Sequence, residues 1–371
     1  MITFKYRIYP NKEQRENIDF TLERCHLLYN RLLAERKLHY EETGESLSQY
    51  DQNKTLPERK KYIPALKEVH SQVLQDVSRR VERAFQNFFR GIREGENIGY
   101  PRFAKFHRYN SFTYPQSGFS LHGNRLQVSK IGNIKIKLHR PLEGEIKQLT
   151  IVRKNDKYYA CFCCEVDAPR RRFPITGKAV GIDVGITNYV ATSDHELIPS
   201  IHAYRENLKQ LKRLQRKLDK QKKGSKRRKK TAKAIARLHE KIANTRRDMA
   251  YKTANKLLSE YDIVVHEDLK IRNMVRNPNL ALSIQDDGRG TKCGSLGILF
   301  STLSAMAQTS ATKKVIKVDP RNTSQLCSRC NEMVKKELRE RSHSCSTCGL
   351  EVDRDINASI NILNRGLKLV A

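Results

Sequence analysis

Two Cys-x-x-Cys pairs, Cys327/Cys330 and Cys345/Cys348, enclose fourteen residues near the end of a chain of 371. No other stretch narrows the possible folds as far. Each short pair lets one tight turn present two thiolates to a single ion, and the spacing is that of a tetrahedral four-cysteine zinc ribbon. Gly349, just beyond the second pair, permits the positive φ that such a turn needs. Four sulfurs leave no coordination position for water, so the expected single Zn²⁺ is structural and not catalytic. The competing readings are two disulfides or unpaired core cysteines. No secretory signal points to an oxidising compartment, and the other five cysteines, Cys25, Cys161, Cys163, Cys164 and Cys293, are an odd, scattered set that reads as small buried hydrophobes. A reducing, cytoplasmic setting is expected.

The ribbon runs into Asp353-Arg354-Asp355-Ile356-Asn357-Ala358, where Ala358, Ile362 and Leu363 repeat at the spacing of a short helix. Asp355 lies near its start, where a carboxylate can serve as a plain cap. Two other stretches argue for more. In AVGIDVGITNYVATS, from Ala179 to Ser193, an apolar strand carries one acid, Asp183; a buried carboxylate is costly unless paired or metal-bound, which favours a functional acid. YDIVVHED, from Tyr261 to Asp268, is a second buried strand that ends in acids. Glu267 lies at its carboxyl end, near Asp183 if the strands are neighbours, whereas Asp268 begins a looser segment and can cap it. Asp183, Glu267 and Asp355 together repel one another. Hard oxygen ligands with room for water favour two Mg²⁺ or Mn²⁺ ions, which can activate water and stabilise the leaving 3′ oxygen of a phosphodiester.

The charge supplies the substrate class. With 72 Lys and Arg against 40 Asp and Glu, the formal net charge is +32, which calls for a polyanionic partner, nucleic acid first. A membrane is disfavoured because no apolar run approaches eighteen residues and neither end carries a lipidation signal; nothing in the sequence names a protein partner. Ile2–Tyr9 alternates as a strand, followed by a helical pattern to about Arg93 in which Val69, Val73, Val77 and Val81 mark one face and Arg79, Arg80, Arg83 and Arg90 another. Arg79 and Arg83 are candidate nucleic-acid contacts. Aromatics interleaved with basic residues, at Tyr100–Phe103 and Tyr109–Tyr114, suit base stacking or core filling equally. From Phe112 to Val166 short strands separated by turn signals predict an antiparallel barrel that the opening strand closes. Residues 169–174 read as a linker. Residues 204–258 predict a helical hairpin whose tip, KQKKGSKRRKK with Lys226, Arg227, Arg228, Lys229 and Lys230, meets nucleic acid or is merely solvated.

The motifs GIDVGITN around Asp183, VVHEDL around Glu267, VDPRNTSQLCSRC before the ribbon and CSTCGLEVDRDINASINI around Asp355 together resemble the TnpB (OrfB-class) transposon-encoded proteins. Those are compact RNA-guided DNA nucleases related to type V CRISPR effectors, and the likeness covers nearly the whole chain. The resemblance implies a multidomain α+β and α/β fold. It comprises a β-barrel wedge-like domain (1–10 and 110–172), a helical recognition domain (11–109) and a RuvC-like, RNase-H-type nuclease domain (173–371) with the zinc ribbon (320–352) inserted before the third acid. It further implies a guide RNA from the transposon end, a double-stranded DNA target, sequence choice through guide pairing, and a short adjacent motif read by the protein. By family position Tyr50, Gln75 and Thr113 are candidates for that reading, and Arg321, in the third motif, for a nucleic-acid contact. A cut of guide-matched DNA is the leading expectation; a guided repressor that binds without cutting and a strand-transferring transposase are the alternatives. One stretch departs from the pattern: Asp286–Lys314 lacks the family's tryptophan, and its glycines and Ser/Thr run weaken the helix expected there.

Overall fold

A computed structural model describes residues 1–166, 173–185, 187–269, 295–337 and 340–370. The chain divides into two compact units, Met1–Ala168 and Pro169–Ala371. The predicted linker at 169–174 lies mostly outside the described residues, as do Cys293 and residues 286–294 of the divergent stretch.

The first unit begins with β1 (Ile2–Tyr9). Its alternation buries Phe4, Tyr6 and Ile8 completely and turns Lys5 and Arg7 outward, over the ring of Tyr159. Next is α1 (Lys12–Thr43), started by a capping box between Asn11 and Gln14 and stopped where Gly44 takes a φ of 73°. After α2 (Gln49–Lys54) and α3 (Leu56–Tyr62) comes α4 (Ser71–Arg93), which buries Val73, Leu74, Val77, Val81 and Phe85. Six strands complete the unit: β2 (Ser111–Tyr114), β3 (Phe119–His122), β4 (Arg125–Val128), β5 (Gly132–Lys137), β6 (Glu145–Lys154) and β7 (Lys157–Glu165). Instead of a barrel closed by its opening strand, they form a nearly closed antiparallel sheet of order β2-β6-β7-β1-β5-β4-β3. β1 is the middle strand, paired with β7 on one side and β5 on the other. The partners on its two edges satisfy backbone N–H and C=O groups, a pairing that sequence periodicity cannot reveal. Asn155 and Asp156 join β6 to β7 in a tight hairpin turn, both at positive φ.

In the second unit β8 (Ala179–Asp183), β9 (Asn188–Thr192), β10 (Leu197–Pro199), β11 (Ile263–Glu267) and β12 (Lys314–Val318) form a sheet of order β10-β9-β8-β11-β12. β8, β11 and β12 are parallel, and β9 runs antiparallel to β8. Between β10 and β11 the chain makes the expected hairpin, α5 (Ala203–Asp219) and α6 (Lys226–Glu260), which closes over Ala203, Leu211, Leu238 and Ile242. The base of α6, with Ala254, Leu257 and Leu258, covers one sheet face together with α7 (Ser295–Gln308). That helix corrects the expectation for the divergent stretch: Leu296, Leu299, Leu303 and Met306 are buried in one apolar cluster with Ala254 and Leu257 of α6 and Val180 and Val264 of the sheet, so packing outweighs the weak propensity of its small residues. The ring of His266 on β11 stacks on Phe300, with centroids 4.1 Å apart. After the ribbon hairpin β13 (Ser342–Ser344) and β14 (Glu351–Asp353), the helix α8 (Arg354–Leu367) covers the opposite sheet face, where Val265, Val318 and Ile362 form a small core.

Candidate active site and metal centre

Parallel pairing brings two of the three acids to one end of the sheet. β8 and β11 are in register through Ile182 and His266, and the next residue on each strand is Asp183 or Glu267. The third arrives on α8, which packs close enough that a Cβ on Gly181 would lie 2.0 Å from the carbonyl oxygen of Ser359, and one on Gly366 2.4 Å from Val265. The helix is capped by Asp353, whose carboxylate accepts from the N–H of Asp355 at 2.8 Å and of Ile356 at 3.4 Å. Asp355 is therefore not the cap. It is 6% exposed and accepts from the Asn188 amide at 3.3 Å. Asp268 stands apart, exposed and 3.4 Å from Lys317.

The charges of the other two acids reach Asp183. Burial raises the Asp183 carboxyl well above its ordinary range, and the charges of Glu267 and Asp355 raise it further, against one hydrogen bond from the Val184 N–H. Burial also raises Glu267, opposed by a hydrogen bond from the Thr323 hydroxyl. Arg341, which the sequence reading passed over, reaches in from the ribbon. Its guanidinium donates to the Thr187 hydroxyl at 2.7 Å and lies 3.7 Å from Asp355, with half of the side chain exposed. No motif marks it, because its neighbours are brought by the fold and lie 154 and 14 residues away in sequence.

Among the described residues, the four ribbon cysteines form the one group whose candidate ligand atoms all lie within 4.8 Å of one another; the three carboxylates are more widely set. Sγ–Sγ distances of 3.5 Å for Cys327–Cys348 and for Cys330–Cys345 fit the roughly 3.8 Å edge of a ZnS₄ tetrahedron with bonds of about 2.3 Å. The two knuckles repeat one geometry. Asn331 and Gly349 take positive φ and donate to the carbonyls of Cys327 and Cys345, each at 2.9 Å, so the first knuckle does with asparagine what the second does with glycine. Two amides on α8 then fasten the ribbon. Asn357 accepts from the Ser328 N–H and donates to the Leu326 carbonyl, and Asn361 donates to the carbonyls of Thr323 and Leu326. They stand two and six residues beyond Asp355, so the ribbon and the third acid share one rigid element.

The candidate nucleic-acid contacts sort by exposure. Tyr50 is 68% exposed, under the ammonium of Lys54, and Gln75 and Arg83 are exposed on α4. Thr113 is 5% exposed, its hydroxyl held by Arg80 at 3.0 Å and Thr150 at 3.0 Å; burial within the sheet corrects its reading as a direct contact. Arg79 is bound to Asp76. At the hairpin tip Lys226, Arg227, Lys229 and Lys230 are exposed, whereas Arg228 donates to the carbonyls of Leu218 and Gln221 and caps α5. The side chain of Arg321 is 85% exposed beside Asp319. Among the described residues, no helix is long and apolar enough to cross a membrane.

Comparison with known proteins gives the family. The family described as "Probable transposase" matches residues 161–278, a "Cas12f1-like, TNB domain" matches 298–362, and a "Helix-turn-helix domain" matches 1–45, which here form β1 and α1. A "Putative RNA-guided DNA endonuclease" of Streptomyces pristinaespiralis is 31% identical over 98% of this chain and 89% of the relative; one from Escherichia coli (strain K12), InsQ, is 29% identical over 99% and 93%. The fold is similar to that of the protein in a Cas12f1–sgRNA–target DNA complex, with a TM-score of 0.60 and 13% identity over 95% of this chain and 82% of the other. The chain belongs to the TnpB-type family of transposon-encoded RNA-guided DNA endonucleases, related to the type V CRISPR effectors.

Proposed function

We propose that the chain, loaded with a guide RNA from the transposon end, hydrolyses phosphodiester bonds of guide-matched double-stranded DNA at a RuvC-like centre made of Asp183, Glu267 and Asp355. The observation that carries this is geometric: the adjacent parallel strands β8 and β11 end in Asp183 and Glu267, and α8, packed against β8, adds the buried Asp355, so that burial and the other two charges raise the Asp183 carboxyl. Such an arrangement is unfavourable by itself and becomes favourable around divalent cations. A mixed sheet with acids ending two adjacent parallel strands supports the RNase-H-type reading. The donor set is all carboxylate oxygen, which fits Mg²⁺ or Mn²⁺; when bound, two such ions supply an activated water and neutralise charge at the leaving 3′ oxygen.

The residues around the acids hold them in place. The Thr323 hydroxyl donates to Glu267 and orients it. The Asn188 amide does the same for Oδ2 of Asp355, whose Oδ1 lies 3.8 Å from the Arg354 guanidinium. Arg341, half exposed beside Asp355, offers a forked donor to a phosphate arriving at the acids. The cysteine ribbon, closed by four sulfurs around one Zn²⁺, stabilises α8 and takes no part in the chemistry. Guide pairing chooses the target and the exposed cations hold backbone phosphates.

The test is cleavage of guide-matched duplex by protein carrying its RNA. Asp183→Ala, Glu267→Ala and Asp355→Ala each abolish Mg²⁺-dependent cutting and retain RNA, while Asp353→Ala and Asp268→Ala keep most of the activity. Tight guided binding by the wild type without any cutting would instead establish a repressor.

A further inference from the structure

We propose that Arg365 is a positioning residue for Glu267, acting at one remove through the main chain of residues 319–323 and the hydroxyl of Thr323. This rests on the metal-centre reading of the three acids given above and deepens it by naming what sets the glutamate among them.

Of the three acids Glu267 has the longest side chain, and so the most rotamers to choose from. It ends β11 opposite Val318, the last residue of β12, and the chain leaves β12 beside it. Three α8 side chains four residues apart, Asn357, Asn361 and Arg365, share one face of the helix. Each holds two backbone groups of the segment that follows β12. Asn357 takes the Ser328 N–H and the Leu326 carbonyl, and Asn361 the carbonyls of Thr323 and Leu326. Arg365 takes the part next to Glu267: its Nη1 donates to the Asp319 carbonyl at 2.8 Å and to the Arg321 carbonyl at 2.7 Å.

Thr323 lies between the grips of Arg365 and Asn361. It is 4% exposed, and its hydroxyl is placed to donate to Glu267 or to the Pro320 carbonyl at 3.1 Å. A hydroxyl has one proton to give, and an ionised carboxylate is the stronger acceptor, so the bond goes to Glu267. The turn that delivers this hydroxyl contains Pro320 and then Asn322 at a φ of 61°, a conformation uncommon outside glycine. Asp319 accepts from the N–H and Nε of Arg321, which ties the turn to itself. Arg365 ties it to the helix that carries Asp355, ten residues earlier. Glu267 on the sheet and Asp355 on α8 are thereby set against each other through one guanidinium that touches neither.

The experiment uses full-length protein with its copurified guide RNA. Mn²⁺ is titrated by electron paramagnetic resonance, and Asp183→Ala protein with the same RNA supplies the background due to RNA. Thr323→Val weakens Mn²⁺ binding at the acids by about 10- to 100-fold and Arg365→Gln by about 10-fold, the range for groups that orient metal ligands. Thr323→Ser, which keeps the hydroxyl, binds as wild type does. So does Lys368→Gln, which removes an exposed cation from the same end of α8. Arg365→Gln added to Thr323→Val causes no further loss, because both act on one bond. Wild-type Mn²⁺ affinity in Thr323→Val or in Arg365→Gln overturns the proposal. Equal weakening in Thr323→Val and Thr323→Ser overturns it in favour of packing, and losses that multiply in the double mutant overturn the route through Thr323. A wild type whose Mn²⁺ site responds to Thr323→Val and Arg365→Gln but which never cuts matched duplex leaves this proposal standing and defeats the cleavage reading. A wild type that binds no Mn²⁺ beyond the Asp183→Ala background defeats both.

Discussion

Gly181→Ala tests whether α8 delivers Asp355 to the active site. A methyl group at Gly181 would lie 2.0 Å from the carbonyl oxygen of Ser359 and 2.6 Å from the amide nitrogen of Leu363, four residues apart and so the two ends of one helical hydrogen bond. Both are backbone atoms, and neither can rotate away. Real contacts of this kind stay above 3.0 Å, so the helix must retreat from β8 by about 1 Å. Overpacking of that size costs about 1–3 kcal/mol, or about 2–4 °C of melting temperature per kcal/mol in a domain of this size. Asp355 lies one turn before Ser359 and moves with it. A displacement of about 1 Å at a reacting centre lowers the rate by about 10²-fold, so cleavage suffers more than stability. The assays are thermal melting and single-turnover cleavage of guide-matched duplex, with Gly99→Ala, whose nearest neighbour is a side-chain nitrogen at 3.5 Å, as the control. Wild-type melting and wild-type cleavage in Gly181→Ala would refute the packing of α8 on β8. A lowered melting temperature with full cleavage would keep the packing and refute the delivery of Asp355.

The remaining predictions concern charge. The folded-state carboxyl of Asp183 is raised above its ordinary 3.8, so its contribution to stability is full below pH 3.8 and is lost as pH rises through the folded value; Asp183→Asn therefore raises the metal-free melting temperature at neutral pH, the gap closes as pH falls toward 4, and Mg²⁺ stabilises wild type alone. A mutant less stable than wild type at every pH would show that the carboxylate is satisfied without a cation. At the hairpin tip, glutamine at Lys226, Arg227, Lys229 and Lys230 flattens the dependence of nucleic-acid affinity on salt, whereas Arg228→Gln mainly lowers stability because that side chain caps α5; identical effects from both sets would refute the division.

How much of this could be read in advance follows from the range of each interaction. The ribbon was legible because its ligands repeat within twenty-two residues and one ion imposes the spacing. Asp183 and Glu267 stand out in sequence because each closes an apolar strand, a local anomaly that asks for an explanation. The choice of Asp355 over Asp353 was harder, since both lie at a helix start; the fold separates them by giving Asp353 the capping bonds. What stayed hidden depends on contacts between distant segments. Nothing local shows that β1 belongs in the middle of its sheet, that Arg341 meets Asp355, or that Thr113 faces inward to Arg80. The helix at Ser295–Gln308 failed for a different reason. Its glycine and small residues have weak propensity, but Leu296, Leu299 and Leu303 are buried in the apolar cluster that the helix shares with α6 and the sheet, and tertiary burial decides helices of that length. The same logic explains the amides Asn357 and Asn361. At helical spacing in DINASIN they look like solvent-facing residues, yet they join the cysteine ribbon to the helix that carries Asp355, so the ribbon's docking and the position of the proposed third acid depend on one pair of side chains.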